Sequence, residues 1–572
     1  SSLPVWEDEL YLEYHRGTYT TQSNTKKFNR ECEIRFEQAE QLATFASLSG
    51  RPYPAQDFVV GWRGVLFNQF HDILPGSSIY PVYQDAKELY KHSLIIAQHQ
   101  IDGALDHIAE NINTKVKKGA TPVLVYNPLA WERTDVVELP LPADDQQKYT
   151  VFDSKGAEIP AENIPDDCYH NKIVFVAHNV PAMGYTIYEL RKKESAPLKT
   201  ALRSTSHTLE NPFYRLTVDT TTGWIQSIYD KINQREILAE MGNELQLFKD
   251  TPAQWDAWNI GLGERYPSRF RRVDLVESGP VRAVLRVQHD FLKPGVVKPY
   301  PTPNNPNSYF SQDIILYNDL DRIDFVTRVD WREEHVMLKV AFNVAVEDTF
   351  ATYEIPFGTI QRTTLRNTDW QKARFEVSQH KWSDLTDVSQ NYGVSLLNRA
   401  KYGGDIHGHV MRLSLLRSPK WPDPMADMGK HRIEYALYPH EKDWKQAHSM
   451  RKAYEYNQPL IARIVDAHKG ELPRTYSFVS VSAENVVLET IKQAEPPQTF
   501  VEHANASNNV WILRLFEAYG QDTAVQITFP VPVRKAVRSN FLEEDGETLQ
   551  VMRNQVTIPI SALKVLTIKV WL

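Results

Sequence analysis

The chain has 572 residues, 42% of them apolar and 24% charged, the balance of a globular protein too long for one hydrophobic core. Lys and Arg number 64 against 72 Asp and Glu, a net charge of -8, so neither nucleic acid nor an anionic membrane is an expected partner. Two cysteines, Cys32 and Cys168, exclude a disulfide scaffold and fit a reducing compartment, and no apolar run is long enough to cross a membrane. The opening, Ser1–Ser2–Leu3–Pro4, is neither a Met nor a signal peptide, so a fragment or one piece of a cleaved protein is expected.

The first elements are helical. Residues 24–48 carry Phe28, Cys32, Phe36, Ala39, Ala43 and Ala46 at spacings of three and four, the period of an amphipathic helix, and Arg51–Pro52–Tyr53–Pro54 ends it. Asp57 is placed to cap a second helix with the stripe Phe58, Trp62, Leu66 and Phe70, which delivers His71 near its C-terminal end before Pro75–Gly76 breaks the pattern. A third helix runs from about Tyr80 to Asn113, with Ala86, Leu89, Ser93, Ala97, Ile101, Ala104, Ile108 and Ile112 on one side. Three antiparallel helices with short connections predict a bundle.

After Gly119 the period becomes two. Strands are expected at 122–128 and 136–141, a hairpin over 213–218 and 224–228 around Thr221–Thr222–Gly223, and further strands at 281–289, 323–330, 336–344 and 373–378. The tail alternates through Leu566, Ile568, Val570 and Leu572. The predicted fold class is multidomain α+β: a three-helix bundle, then one very large β-sandwich and a small one near 480–572.

Chemistry centres on Asn68–Gln69–Phe70–His71–Asp72–Ile73–Leu74–Pro75–Gly76–Ser77–Ser78. An imidazole there can bind a metal, and the neighbouring carboxylate can hold a sugar hydroxyl. An isolated histidine is more often structural, and zinc needs three or four ligands, for which there is neither a His-Glu-x-x-His nor a paired-cysteine motif. Asp405–Ile406–His407–Gly408–His409 has ligand-like spacing that strand alternation also produces, and His99 and His107 are expected to face solvent. A second polar and aromatic patch, Glu9 to Gln22, fits either a sugar cleft or a hydrogen-bonded entry loop. Trp255–Asp256–Ala257–Trp258 fits a sandwich-edge plug or a rim over a carbohydrate cleft. The proline-rich excursion Pro422–Asp423–Pro424 to His431 is costly unless it packs against another domain.

Several separated stretches carry a family resemblance. Glu13–Tyr14–His15–Arg16–Gly17–Thr18–Tyr19–Thr20–Thr21 with Lys27 and Asn29–Arg30, then Gln69–Phe70–His71–Asp72–Ile73–Leu74–Pro75–Gly76–Ser77, are similar to the retaining class II α-mannosidases, glycoside hydrolase family 38, of the cytosolic and bacterial type. Trp255–Asp256–Ala257–Trp258, Leu413–Ser414–Leu415–Leu416–Arg417–Ser418–Pro419 and Tyr435–Ala436–Leu437–Tyr438–Pro439–His440 match the same branch in the same order. The resemblance implies residues 1–23 as the end of an otherwise absent α/β catalytic domain, a helical bundle over 24–118, a linking β-domain over 119–205, a large sandwich over 206–480 and a small β-domain over 481–572. It implies His71 as one ligand of a single zinc ion, the other ligands and the nucleophile belonging to the α/β domain. It further implies Asp72, Arg16 and Tyr19 as substrate-binding groups and Glu13 as the acid/base carboxylate. The expected activity is cytoplasmic hydrolysis of terminal α-D-mannosyl linkages in mannose-containing oligosaccharides. The absent domain would come as a missing N-terminal segment or a partner chain, and a homo-oligomer is the other expected association.

Two other classes stay open. One is a non-catalytic carbohydrate- or protein-binding sandwich that uses the aromatic cluster at 255–258. The other is a polysaccharide lyase or different hydrolase with a self-contained Tyr/His/Arg site in the β region, independent of Glu13 and His71.

Overall fold

A computed structural model describes residues 3–7, 9–142, 145, 147–165, 171–192, 198–291, 308–495 and 510–572. Cys168 lies outside the described residues, and Cys32 is a buried free thiol. The expected order of a helical bundle followed by sheets is what the structure shows. No helix among the described residues is long and apolar enough to cross a membrane.

Three helices form the bundle: α1 (Ser23–Ser47), α2 (Ala55–Asn68) and α3 (Tyr80–Asn111). Small residues on facing sides let α1 and α3 approach closely. Cys32, Ala39, Ala43 and Ala46 of α1 share one core with Tyr90, Ala97, Ile101 and Ala104 of α3. Leu89, expected in that stripe, is partly exposed, and its neighbour Tyr90 is buried instead. Two expectations for α2 fail. Its N-cap residue is Pro54 with no side-chain cap, and the Asp57 carboxylate instead accepts a hydrogen bond of 2.6 Å from the Gln100 amide of α3. Its buried line is Phe58, Gly61, Val65 and Asn68, whereas Leu66 and Phe70 face outward.

The sheets follow in three groups. The first contains the strands Ala120–Asn127 and Gly184–Lys192, which pair side by side. The strand Ile461–Ile464 lies on the outer edge of the former, and Thr475–Ser477 pairs with the latter. Val123, Val137, Phe175 and Tyr188 fill the core between this sheet and the one holding Arg133–Pro140 and Asn171–Val180. The chain therefore returns to its earliest sheet after completing the large sandwich.

That sandwich packs a nine-stranded sheet against a six-stranded one among the described residues. Phe325 and Tyr435 of the larger sheet stack with ring centroids 5.1 Å apart, and Phe342 of the smaller meets Phe325 at 5.5 Å. The strand expected at 373–378 is instead the end of a short helix, Asp369–Ala373, followed by the two-residue strand Val377–Ser378. Thr368 and Gln371 form a reciprocal capping box there, a local preference that overrides strand propensity. The C-terminal sandwich ends in the strand Val565–Trp571, whose Leu566, Ile568 and Val570 point inward as the alternation requires. It packs on the bundle, with Phe45 of α1 5.8 Å from Trp511, ring centroid to ring centroid.

Candidate functional site

Residues 9–23 cross from the large sandwich to the bundle. The Tyr11 hydroxyl donates to the Glu376 carbonyl at 2.6 Å, and Glu9 pairs with Arg362 at 2.5 Å. Two short 3-10 turns, Glu13–His15 and Gly17–Tyr19, follow. The Gly17 N–H donates to the Trp258 carbonyl at 2.6 Å. A Cβ on Gly17 would fall 2.2 Å from Arg417 Nη1 and 2.9 Å from that same carbonyl, so the close approach requires glycine. Arg417 is fully buried; it pairs with Asp250 at 2.6 Å and donates to Thr21 Oγ1 at 3.0 Å, the Ala257 carbonyl at 3.0 Å and the Asn259 carbonyl at 2.8 Å. One guanidinium thus knots the entry segment, the tryptophan loop and the sandwich together.

The proline-rich excursion does pack against another element. Gln22, which precedes α1, sits at φ 60° and supplies no cap of its own. The Asp427 carboxylate accepts the Gln22 N–H at 2.9 Å and the Ser23 N–H at 2.7 Å, while the Gln22 amide donates to Asp423 at 2.6 Å. A residue distant in sequence caps the helix, satisfying donors that α1 leaves open.

On this frame Glu13 is half exposed at 51%, its carboxylate 3.7 Å from Arg16 Nη2. Arg16 is buried; its Nε and Nη2 donate to the Ala373 carbonyl at 2.9 and 2.6 Å, and its guanidinium lies 4.5 Å over the Phe375 ring. Tyr19 is half-buried, and burial, reinforced by the Glu9 carboxylate, raises its hydroxyl pKa.

His71 lies beyond α2, in a turn held by Ile73 N–H to Phe70 O at 2.9 Å and Ser77 N–H to Asp72 O at 3.2 Å. The Asp72 side chain accepts from Ser77 Oγ at 2.8 Å, and the Tyr83 hydroxyl donates to the Asp72 carbonyl at 3.1 Å. Lys26 of α1 ties the turn down, its ammonium donating to the carbonyls of Thr21, Leu74 (2.9 Å) and Pro75 (3.3 Å). Burial lowers the Lys26 pKa to about 7 despite the attraction of Asp427. Gly76 is at φ +93°, and a Cβ there would meet the Thr21 carbonyl oxygen at 2.5 Å. The His71 ring, by contrast, projects outward: its side chain is 76% exposed, with Nε2 3.3 Å from Asp72 Oδ2.

An exposed imidazole beside a fixed carboxylate fits a metal donor, and His71 can supply one ligand. Among the described residues no three His, Cys, Asp or Glu come together to hold a metal ion. Asp405 and His407 are occupied otherwise. Asp405 is buried and takes Lys339, Arg366 and Arg412, and His407 Nδ1 meets the Thr364 carbonyl at 2.8 Å. Of the two helix histidines, His99 is exposed, while His107 is half-buried with Nε2 3.3 Å from the Ser49 carbonyl. No hydrogen bond or ion pair among the described residues joins Glu13 to His71 or Asp72.

Around His71 the surface is apolar. Leu66, Phe67 and Phe70 of α2 and its following turn are exposed at 59%, 65% and 56%, and Leu10, Leu12 and Tyr14 are exposed beside Glu13. Trp255, Trp258 and Trp421 cluster with ring centroids 5.5–6.1 Å apart. Asp256 anchors them by accepting the backbone N–H groups of Lys420 (2.5 Å) and Trp421 (3.2 Å). Lys26 and Trp421 were not singled out from sequence; Arg417 and Asp427 lie in stretches that were, Leu413–Pro419 and the proline-rich excursion, but had no role of their own assigned.

Three family models match the chain: the alpha mannosidase middle domain over residues 13–108, the glycosyl hydrolases family 38 C-terminal domain over 209–425, and the family 38 C-terminal beta sandwich domain over 485–568. The chain belongs to glycoside hydrolase family 38. It is 34% identical to alpha-mannosidase 2C1 of Mus musculus over 98% of this chain and 50% of the relative. It is 30% identical to alpha-mannosidase G of Dictyostelium discoideum over 100% of this chain and 53% of the relative. The chain thus spans about half the length of the curated relatives it matches. The fold agrees with a crystal structure of an alpha-mannosidase from Enterococcus faecalis, with a TM-score of 0.80 at 16% identity, covering 97% of this chain and 68% of that one. The family 38 middle-domain match contains all five candidate residues: Glu13, Arg16, Tyr19, His71 and Asp72.

Proposed function

We propose that this chain forms the middle and C-terminal part of a cytoplasmic, zinc-dependent α-mannosidase that removes terminal α-D-mannosyl residues from oligosaccharides with retention. The observation that carries this is His71: an outward-facing imidazole on a turn fixed by Lys26, with an apolar surface beside it and no complete ligand set among the described residues. An exposed apolar patch of this kind marks a surface that another structure covers, here an α/β catalytic segment that carries the remaining ligands and the nucleophile.

Retaining hydrolysis proceeds by two displacements, with one carboxyl group protonating the leaving oxygen and then activating water. Glu13 is the group for that task, since its carboxylate is exposed while Arg16 holds its turn against Ala373 and Phe375. Asp72 is positioned by Ser77 to accept a sugar hydroxyl with its second oxygen. Tyr19 and Arg16 belong to the same patch, where Arg16 acts through Glu13 and Tyr19 offers a hydroxyl that burial keeps protonated. His71 would hold the zinc ion, which when bound supplies Lewis-acid stabilisation.

The test measures zinc content and turnover of a chromogenic α-mannoside, first with this chain alone and then with the catalytic segment supplied by fusion or as a separate chain. The chain alone should bind zinc weakly and turn nothing over, because one imidazole leaves the coordination shell open. In the completed enzyme His71→Ala should lose zinc and activity while the bundle stays folded. Robust turnover by this chain alone, or full zinc content in the variant, overturns the assignment.

A further inference from the structure

Between α1, α3 and the rim of the large sandwich lies a cavity of about 650 Å³ that neither Glu13 nor His71 lines. Six basic side chains surround it, five of them charged and the sixth, Lys401, lowered by burial to a pKa of about 7: Lys27, Arg30 and Arg35 from α1, Arg399 and Lys401 after the strand Tyr392–Asn398, and Arg432 from the strand Gly429–Glu441. Two carboxylates, Glu31 and Glu434, share the lining. This excess of positive charge sits inside a chain whose net charge is -8.

The two carboxylates are already engaged. Glu434 takes both Arg399 and Arg432; burial would raise its pKa, but the two guanidiniums outweigh burial and hold it down at about 2. Glu31 faces Lys27 at 3.8 Å. Arg30 turns to the Tyr402 hydroxyl at 3.0 Å and to Glu33 at 3.3 Å, and Lys401 donates to the Leu415 carbonyl at 2.7 Å. Arg35 differs from the others. Among the described residues it makes no hydrogen bond and no ion pair, and burial pulls its pKa down against the more distant pull of Glu31 and Asp102. A guanidinium carries five N–H donors, and those of half-buried Arg35 remain open to solvent and to a ligand. The cavity therefore presents, at Arg35, donors that no acceptor among the described residues takes.

The rest of the lining narrows the ligand. Ile34, Leu94, Leu460 and Ile461 add an apolar wall, and the volume exceeds what a single inorganic ion needs. The planar fork of arginine matches phosphoryl oxygens in pairs, and a dianion offsets the charge excess better than a monocarboxylate. We propose that this cavity is a binding site for a small organic phosphomonoester, its phosphoryl group taken by Arg35 with Lys27 and Arg432 and its body resting on the apolar wall.

The test is calorimetric titration of the full chain at constant ionic strength with a hexose 6-phosphate, inorganic phosphate and the unphosphorylated hexose. The ester should bind saturably at one site and more tightly than inorganic phosphate, and the neutral hexose should not bind there. Arg35→Met, which keeps the aliphatic stem, should weaken the ester by about 10-fold or more, the loss expected for one charge-assisted hydrogen bond. Lys27→Met, on the half-exposed rim, should weaken it less and leave folding untouched. Absence of saturable ester binding, equal affinity for ester and inorganic phosphate, or unchanged affinity in both variants overturns the proposal.

Discussion

Gly76→Ala tests whether the turn carrying His71 is positioned by contact with the entry to α1. Two glycines make the comparison clean, because Gly50 and Gly76 have nearly the same backbone, φ +94° and +93°. A Cβ on Gly50 meets nothing within 4 Å, whereas on Gly76 it would lie 2.5 Å from the Thr21 carbonyl oxygen and 2.8 Å from its carbon. Holding alanine in a left-handed conformation costs about 1–2 kcal/mol at either site. Only Gly76→Ala adds an overpacking cost of about 1–3 kcal/mol, because both partners are backbone and neither can rotate away. Gly76→Ala should therefore lose about 2–5 kcal/mol locally and Gly50→Ala about 1–2 kcal/mol. Hydrogen exchange is the suitable assay in a multidomain chain, since global unfolding is not two-state. The Ile73, Gly76 and Ser77 amides, bonded inside the turn, should exchange faster in Gly76→Ala and unchanged in Gly50→Ala. Equal effects of the two substitutions on those amides would refute the positioning argument.

Glu13→Gln in the completed enzyme should slow cleavage of a natural mannosyl linkage by about 10²–10⁴-fold. It should spare formation of the glycosyl-enzyme from a dinitrophenyl mannoside, giving a burst followed by slow turnover that azide accelerates; equal slowing of both substrates without azide rescue moves the role to another carboxylate. A second expectation concerns His431, whose pKa burial lowers from 6.5 to about 4 with help from Lys401 and Lys27. A histidine depressed on folding stabilises the fold above its unfolded pKa and loses that contribution as pH falls through the folded one. Stability should therefore drop by up to about 3 kcal/mol between pH 6.5 and 4. His431→Gln should flatten this slope in the hydrogen-exchange protection of the strand Gly429–Glu441 followed across that range, and parallel curves would contradict it.

The helical bundle was legible because α1 and α3 bury lines that mix spacings of three and four. The error in α2 has a geometric cause. A line drawn at every fourth residue drifts about 40° per step on a helix of 3.6 residues per turn, so Phe58, Trp62, Leu66 and Phe70 cannot share one face. The true line, Phe58, Gly61, Val65 and Asn68, includes a glycine and an asparagine, which an apolar pattern passes over. Asp57 looked like a cap because its local context allows one, but Gln100 of α3 takes its carboxylate. At the candidate site, His71 and Asp72 stood out by motif. Lys26, Arg417 and Asp427 did not, since they bond backbone groups that any sequence provides, 48 residues away for Lys26 and 160 and 405 away for Arg417 and Asp427.

The return of Ile461–Ile464 and Thr475–Ser477 to the first sheet has a consequence for synthesis. The strand Ala120–Asn127 leaves the ribosome before the large sandwich, yet its outer edge, where Val123 faces Ile464 and Tyr126 faces Ile461, stays bare until that sandwich has been made. During that interval it presents an unpaired row of N–H and C=O groups flanked by valine, leucine and tyrosine, the kind of edge that recruits other chains. A nascent chain stalled within the sandwich carries this open edge, and so does any truncation ending before residue 461. The late segment acts as a latch, and Leu472 extends it by exchanging backbone hydrogen bonds of 2.9 Å with Asn111 and Asn113 at the end of α3.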